Sequence, residues 1–345
     1  MSDFMETDFI SEKLEKLTKL GGVSSDEWTF SQFLLSELSK LADDCIIDKY
    51  GNALGRINSS EPAAPTLLLD AHMDRIGLVI TNIEADGRLK FETVGGIDLR
   101  ILPYKTVLIG EGKIEGMIVP KDSGCTDAYK LENMRIDIGM SYDNVQKKVN
   151  IGDTAVIFSE YHRLCNSIAS CGAMDNRASI CAILDAIENI DRDKLKYNLI
   201  IMFSAEEELG LHGAYNLSEQ YMPDAALIID VTHGKTPDTA DVTGVFELGC
   251  GAVICRGPSL DYNLSLGLVE IAKKNDVKYE IETASGHPGT NAWAFHMCGA
   301  GIPSAMISIP LKYMHTNVET LDLNDIQAVS RLLKLSLEGG IILDK

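Results

Sequence analysis

The residues best placed to do chemistry in this 345-residue chain are histidines and carboxylates that follow apolar runs. In Asp70-Ala-His72-Met-Asp74 the histidine and the second aspartate stand two apart just after Thr66-Leu-Leu-Leu, so an extended chain puts both on one face. His72 is therefore a candidate metal ligand, and Asp74 can accept its second ring N–H and fix the tautomer. Asp175, in Gly172-Ala-Met-Asp175-Asn-Arg, opens a helical pattern. An N-cap is the default role for aspartate there, yet a carboxylate with two oxygens can also bridge two cations. Glu206, Glu207 and Glu208 follow another apolar run at the expected start of a helix, where the macrodipole favours acidic residues without any chemistry. Asp230 ends Ile228-Ile-Asp230, and His315 lies in Tyr313-Met-His315-Thr beyond the last apolar run.

Each of these residues has an ordinary structural explanation when taken singly. Together they crowd negative charge at one edge, which is costly unless cations neutralise it. A donor set of imidazoles and carboxylates without thiolate suits Zn²⁺, Co²⁺ or Mn²⁺. Histidines 162, 212, 233, 287 and 296 lack this combination of strand end and nearby carboxylate and are expected to be structural or exposed. His287 sits in a glycine-rich loop before a helix, a place that can line a substrate pocket.

The elements that must position these side chains are legible in the periodicity. Ile10, Leu14, Leu17 and Leu20 repeat at helical spacing, as do Phe30, Phe33, Leu34, Leu38 and Leu41. Continuous apolar runs at 66–70, 198–203, 225–230 and 304–309 predict strands buried on both faces of a sheet. Helices expected at 176–190, 259–275, 290–297 and 323–338 alternate with them, giving an α/β fold with helices covering the sheet. Open sheets of this kind place their ligand crevice at the carboxyl ends of the strands, where every candidate falls. Between residues 75 and 164 the texture changes to short β-type runs and turns, which reads as a small all-β domain inserted into the α/β domain (1–74 plus 165–345).

A formal charge of −20 argues against nucleic acid, because phosphate binding needs clustered Lys and Arg. No apolar run reaches the length of a membrane span and no signal-peptide pattern opens the chain. The eight cysteines are scattered, with no Cys-x-x-Cys pair, and read as reduced core thiols of a cytoplasmic protein.

The ordered motifs resemble one family, the tetrahedral aminopeptidases, whose relatives are labelled glutamyl aminopeptidase or cellulase-like protein. The segments that carry the resemblance are His72-Met-Asp74-Arg-Ile-Gly77, Gly172-Ala-Met-Asp175-Asn-Arg177, Glu207-Glu208-Leu-Gly-Leu-His-Gly-Ala214, Asp230-Val-Thr232 and Tyr313-Met-His315-Thr, with Ile136-Asp-Ile-Gly139 and Val149-Asn-Ile-Gly-Asp153 in the inserted region. The resemblance implies a co-catalytic metallopeptidase domain, a β-barrel-like insertion used for dimerisation, and homo-oligomers from dimers to dodecamers. It implies two divalent metal ions per subunit, zinc or cobalt, with manganese accepted. His72, Asp175 and Asp230 would hold one, and Asp175, Glu208 and His315 the other. Glu207 would act as general base, with Asp74 beside it in the catalytic set, and short peptides would be the substrates. Two departures stand out: Asn291 where relatives frequently carry Asp, and Asn317 where they frequently carry Pro. The first puts in doubt any preference for charged substrate ends. The competing activities, an N-deacylase or a carboxypeptidase, need a basic group for a substrate carboxylate, and Arg177 is the one candidate in the motif loops. A catalytically silent scaffold would have lost a ligand or Glu207, and neither is lost.

Overall fold

The computed structural model describes residues 2–61, 63–110, 114–122, 127, 129–239 and 244–341. Its centre is an eight-stranded sheet in the spatial order Asp44–Ile47, Ala53–Ile57, Asn198–Ser204, Thr66–His72, Ala225–His233, Ser304–Leu311, Ala252–Arg256 and Tyr279–Thr283. The four strands from Asn198–Ser204 to Ser304–Leu311 run parallel, and both flanking pairs join them antiparallel. The parallel four are the continuous apolar runs of the sequence, buried along nearly their whole length because helices cover both faces.

Alternate residues of each strand serve opposite faces. Leu67, Leu69 and Ala71 join a large core under the helices Ser2–Thr18, Trp28–Leu38, Met174–Asn189, Tyr262–Lys274 and Leu323–Gly339. Leu68, Met202 and Ile228 join a smaller core under His212–Gln220 and Ala292–Met297. This alternation fixes the first functional contact. Ile228 is in register with Asp70, so two residues further on Asp230 comes level with His72, on the same face.

The chain leaves the sheet after His72 and builds a closed barrel from Gly77–Ile83, Leu89–Val94, Thr106–Ile109, Ile114–Pro120, Met134–Asp137 and Thr154–Ile157. Leu78, Ile80, Phe91, Val107, Ile118 and Ile136 fill its own core. The chain returns through a three-stranded antiparallel sheet of His162–Arg163, Ile168–Cys171 and Glu319–Asp322. Among the described residues every cysteine is a free thiol, Cys125 lying outside them, and no helix is long and apolar enough to cross a membrane.

Candidate metal centre

The sheet and its crossovers bring His72, Asp175, Asp230, Glu208 and His315 to one place. One ligand atom from each of His72, Asp175 and Asp230 lies within 4.8 Å of the others, and the same holds for Asp175, Glu208 and His315. Asp175 belongs to both groups: its Oδ1 lies 3.0 Å from Nε2 of His72, and its Oδ2 lies 3.4 Å from Nε2 of His315. Asp230 Oδ1 is 3.8 Å from the same His72 nitrogen, and Glu208 Oε1 is 3.3 Å from that of His315.

Asp175 is not an N-cap. It lies inside Met174–Asn189 with a non-helical backbone (φ −76°, ψ 103°), after Ala173 in the left-handed region, so the regular helix starts only past Asn176. Its backbone N–H donates to Glu319 Oε2 at 3.1 Å, and Asn176 Nδ2 donates to the carbonyl of Ile229 at 3.0 Å. These anchors leave the Asp175 carboxylate free to face both histidines.

The glutamate run also departs from expectation: residues 205–211 form a turn, and the helix begins at His212. Left-handed Glu206 and Leu211 and Gly210 at φ +117° break the chain direction before the helix, so its dipole does not account for the acidic residues. Hydrogen bonds from the backbone of the turn to distant carboxylates fix its shape. Asp74 accepts the backbone N–H of Glu207 on Oδ1 (2.9 Å) and that of Glu208 on Oδ2 (3.1 Å), while Glu27 accepts that of Glu206 at 3.0 Å. Gly213 closes the turn, since a Cβ there would lie 2.4 Å from both the Ala205 carbonyl and Asn52 Oδ1. Ala is the better helix former by about 1 kcal/mol. The clash with fixed backbone outweighs that gain, and Gly213→Ala is expected to cost roughly 1–3 kcal/mol, read as a lowered melting temperature.

The tautomers follow from the partners. His315 Nδ1 lies 2.7 Å from the Gly96 carbonyl, which can only accept, so Nδ1 carries the proton and Nε2 faces the cluster. His72 Nδ1 lies 3.2 Å from the Asp74 carbonyl and 3.4 Å from its Oδ1. Asp74 is fully buried and touches both His72 and the glutamate turn. Its carboxylate also accepts the Ser24 hydroxyl at 2.6 Å, so every partner it has in this structure is a protein group beside the cluster.

Burial pushes Asp230 up to about 8, helped by the negative charge of Asp175 and opposed by His72. Burial likewise raises Glu207 well above the usual carboxylate range, His72 opposing while Asp230, Asp74 and Glu208 reinforce it. Burial alone would lower His315, but hydrogen bonds to Asp175 and Glu208 override it and push the imidazole up to about 11. Asp175 goes the other way: although burial opposes it, hydrogen bonds from His315 and His72 hold its carboxyl well below the usual carboxylate range. The imidazoles thus supply the positive charge that a cation would otherwise bring, while Asp230 and Glu207 hold protons. The donor set, imidazole nitrogens and carboxylate oxygens with a shared aspartate, fits a pair of divalent ions.

Four other residues complete the picture. Glu319, which sequence reasoning missed, is buried and accepts the backbone N–H of both Asp175 and His315, the latter at 2.9 Å. Its only sequence signal is an acidic residue four after His315. Asn291 is buried beneath the strand ends and donates from Nδ2 to Asp70 Oδ2 and Ser204 Oγ, both at 2.8 Å. It therefore bears on the sheet rather than on a substrate's charge. Arg177 is also fully buried, stacked 3.3 Å over the Phe30 ring and donating to the carbonyls of Leu17 and Gly21. Committed to the N-terminal helix, it cannot receive a substrate carboxylate. His287 packs on Trp293, ring centroids 4.6 Å apart.

A family model described as M42 glutamyl aminopeptidase matches residues 51–332. A putative aminopeptidase of Acetivibrio thermocellus is 30% identical, the match covering 95% of this chain and 98% of that protein. The solved structure of aminopeptidase APDkam598 from the archaeon Desulfurococcus kamchatkensis superposes with a TM-score of 0.91 at 29% identity, covering 97% of this chain and 96% of the other. Pyrococcus horikoshii TET1 peptidase, described as assembling into a tetrahedron or a large octahedral shell, superposes with a TM-score of 0.83 at 31% identity, covering 95% and 99% of the two chains.

Proposed function

Since the chain belongs to the M42 glutamyl aminopeptidase family and is thereby a peptidase, we propose that it removes N-terminal residues from short peptides at a centre of two divalent cations. The observation that carries this reading is the pair of ligand groups sharing Asp175. His72, Asp175 and Asp230 would hold one ion, and Asp175, Glu208 and His315 the other. Zinc or cobalt suits these donors best, and manganese is accepted. Such ions supply a water of lowered pKa and a Lewis acid for the scissile carbonyl.

The chain's own residues do the rest. Glu207 stands in the turn beside the ligands without belonging to either group, and it is raised in pKa, as a group that must take up a proton and then release it should be. It takes the proton of the attacking water and passes it to the departing amine. The surplus of carboxylate at this strand edge favours a substrate end that carries an ammonium, which restricts cutting to the free N-terminus. With Arg177 committed to backbone carbonyls and Arg75 lining a cavity that none of the ligand residues enters, the carboxypeptidase reading lacks a basic anchor at this centre.

The barrel serves as the dimerisation domain of a homo-oligomer, a reading supported by the exposed Tyr104, Met117 and Ile151 on its surface and by the assembly described for the Pyrococcus horikoshii protein. The free thiols support a cytoplasmic setting. One peptide in two forms tests the activity, with a free and with an acetylated N-terminus, in the presence of Co²⁺ or Zn²⁺. Turnover of the free form alone is expected. Equal turnover of both would replace the aminopeptidase reading by an endopeptidase or deacylase.

A further inference from the structure

A second site lies away from the metal centre, between the barrel and the start of the chain. A cavity of about 230 Å³ opens there, and none of the metal-centre residues lines it. Its walls are largely apolar, with Leu20, Val23, Leu108, Val156 and Phe158 among them, and Arg75 is set into them. Arg75 is only 7% exposed. Its Nε–H has no acceptor, and among the described residues its side chain makes no hydrogen bond or ion pair. Glu319 attracts it, but from beyond ion-pair distance. The absence of a side chain at Gly172 makes room for the guanidinium, since a Cβ there would stand 3.0 Å from Arg75 Nη2.

A guanidinium presents a rigid fork of donors matched to a pair of oxygens, and burying it without a partner is costly. The other charged groups of the cavity are already engaged: Lys19 with Glu15 at 2.7 Å, and Asp26 with the Thr154 hydroxyl. Arg75 is the lining cation without a carboxylate partner among the described residues, and a hydroxyl does not neutralise Asp26. The ligand that fits therefore carries the least negative charge an arginine fork can hold, a monoanion with a hydrocarbon tail rather than a dianion such as phosphate.

We infer that this cavity is a binding site for a short aliphatic carboxylate, held by the Arg75 fork with its tail against Val23, Leu108 and Val156. The site stands independently of the proposed peptidase reading. Calorimetric titration of butyrate tests it, on the metal-loaded chain with its metal centre saturated by leucine hydroxamate so that carboxylate cannot bind there. One saturable butyrate per chain is expected, with phosphate weaker by at least about tenfold. Arg75→Met, which keeps the length and removes the fork, is expected to weaken butyrate by at least about tenfold. Should that variant fail to fold, Val156→Trp keeps Arg75 and fills the cavity, and butyrate binding should vanish. No saturable binding to the wild type, retention of binding in the folded variants, or phosphate bound more tightly than butyrate would each overturn the assignment.

Discussion

Glu207→Gln is expected to lower kcat for a free-N-terminus peptide by about 10²–10⁴-fold while leaving metal content and melting temperature close to wild type. Gln matches Glu in size, and the Glu207 backbone N–H stays held by Asp74 Oδ1 at 2.9 Å, so the turn keeps its shape. What disappears is the capacity to take a proton from water. Glu207 supplies no atom to either ligand group, which is why the metal should remain. Elemental analysis of the desalted variant beside its kinetics checks both halves. Unchanged kcat would remove Glu207 from the chemistry. Activity lost together with metal would instead shift the register by one, making Glu207 a ligand and Glu208 the base.

Asp175→Asn should be as damaging by a different route. Oδ1 faces His72 and Oδ2 faces His315, and an amide keeps only one oxygen to serve both. The bound metal is expected to fall from two ions per chain to one or fewer, with activity down by at least about 10²-fold. Metal-binding isotherms measure the stoichiometry directly, and two ions retained with wild-type affinity would show that Asp175 does not bridge. The comparison with Glu207→Gln is informative because one variant should lose chemistry with metal present and the other metal itself.

Much of this was written plainly in the sequence. The runs at 66–70, 198–203, 225–230 and 304–309 became the parallel centre of the sheet because strands covered on both faces must be apolar at every position. His72, Asp230 and His315 were visible as polar residues interrupting or following those runs. The edge strands Asp44–Ile47 and Tyr279–Thr283 were not, since their burial alternates or is partial and their composition is mixed. The glutamate turn was misread as a helix start because local propensity favours acid there. What decides its conformation are acceptors far away in the chain, Glu27 and Asp74. The same distance hid Glu319 and the inward role of Asn291: a lone polar residue carries no mark of which partner, far off in the chain, it will meet, the Asp175 backbone N–H for one and the Asp70 carboxylate for the other.

The ligand groups draw on His72 early in the chain and His315 near its end, with Asp175 common to both. During synthesis, therefore, neither group is complete until Asp230 has left the ribosome, and the second waits for the last strand of the sheet to dock. Growing chains that fold from the amino end must assemble sheet and barrel first. On the proposed two-ion reading, metal uptake would then be a late event that marks a finished subunit, and a chain broken off before His315 would lack both the second ligand group and the closing helix Leu323–Gly339 that covers the large core.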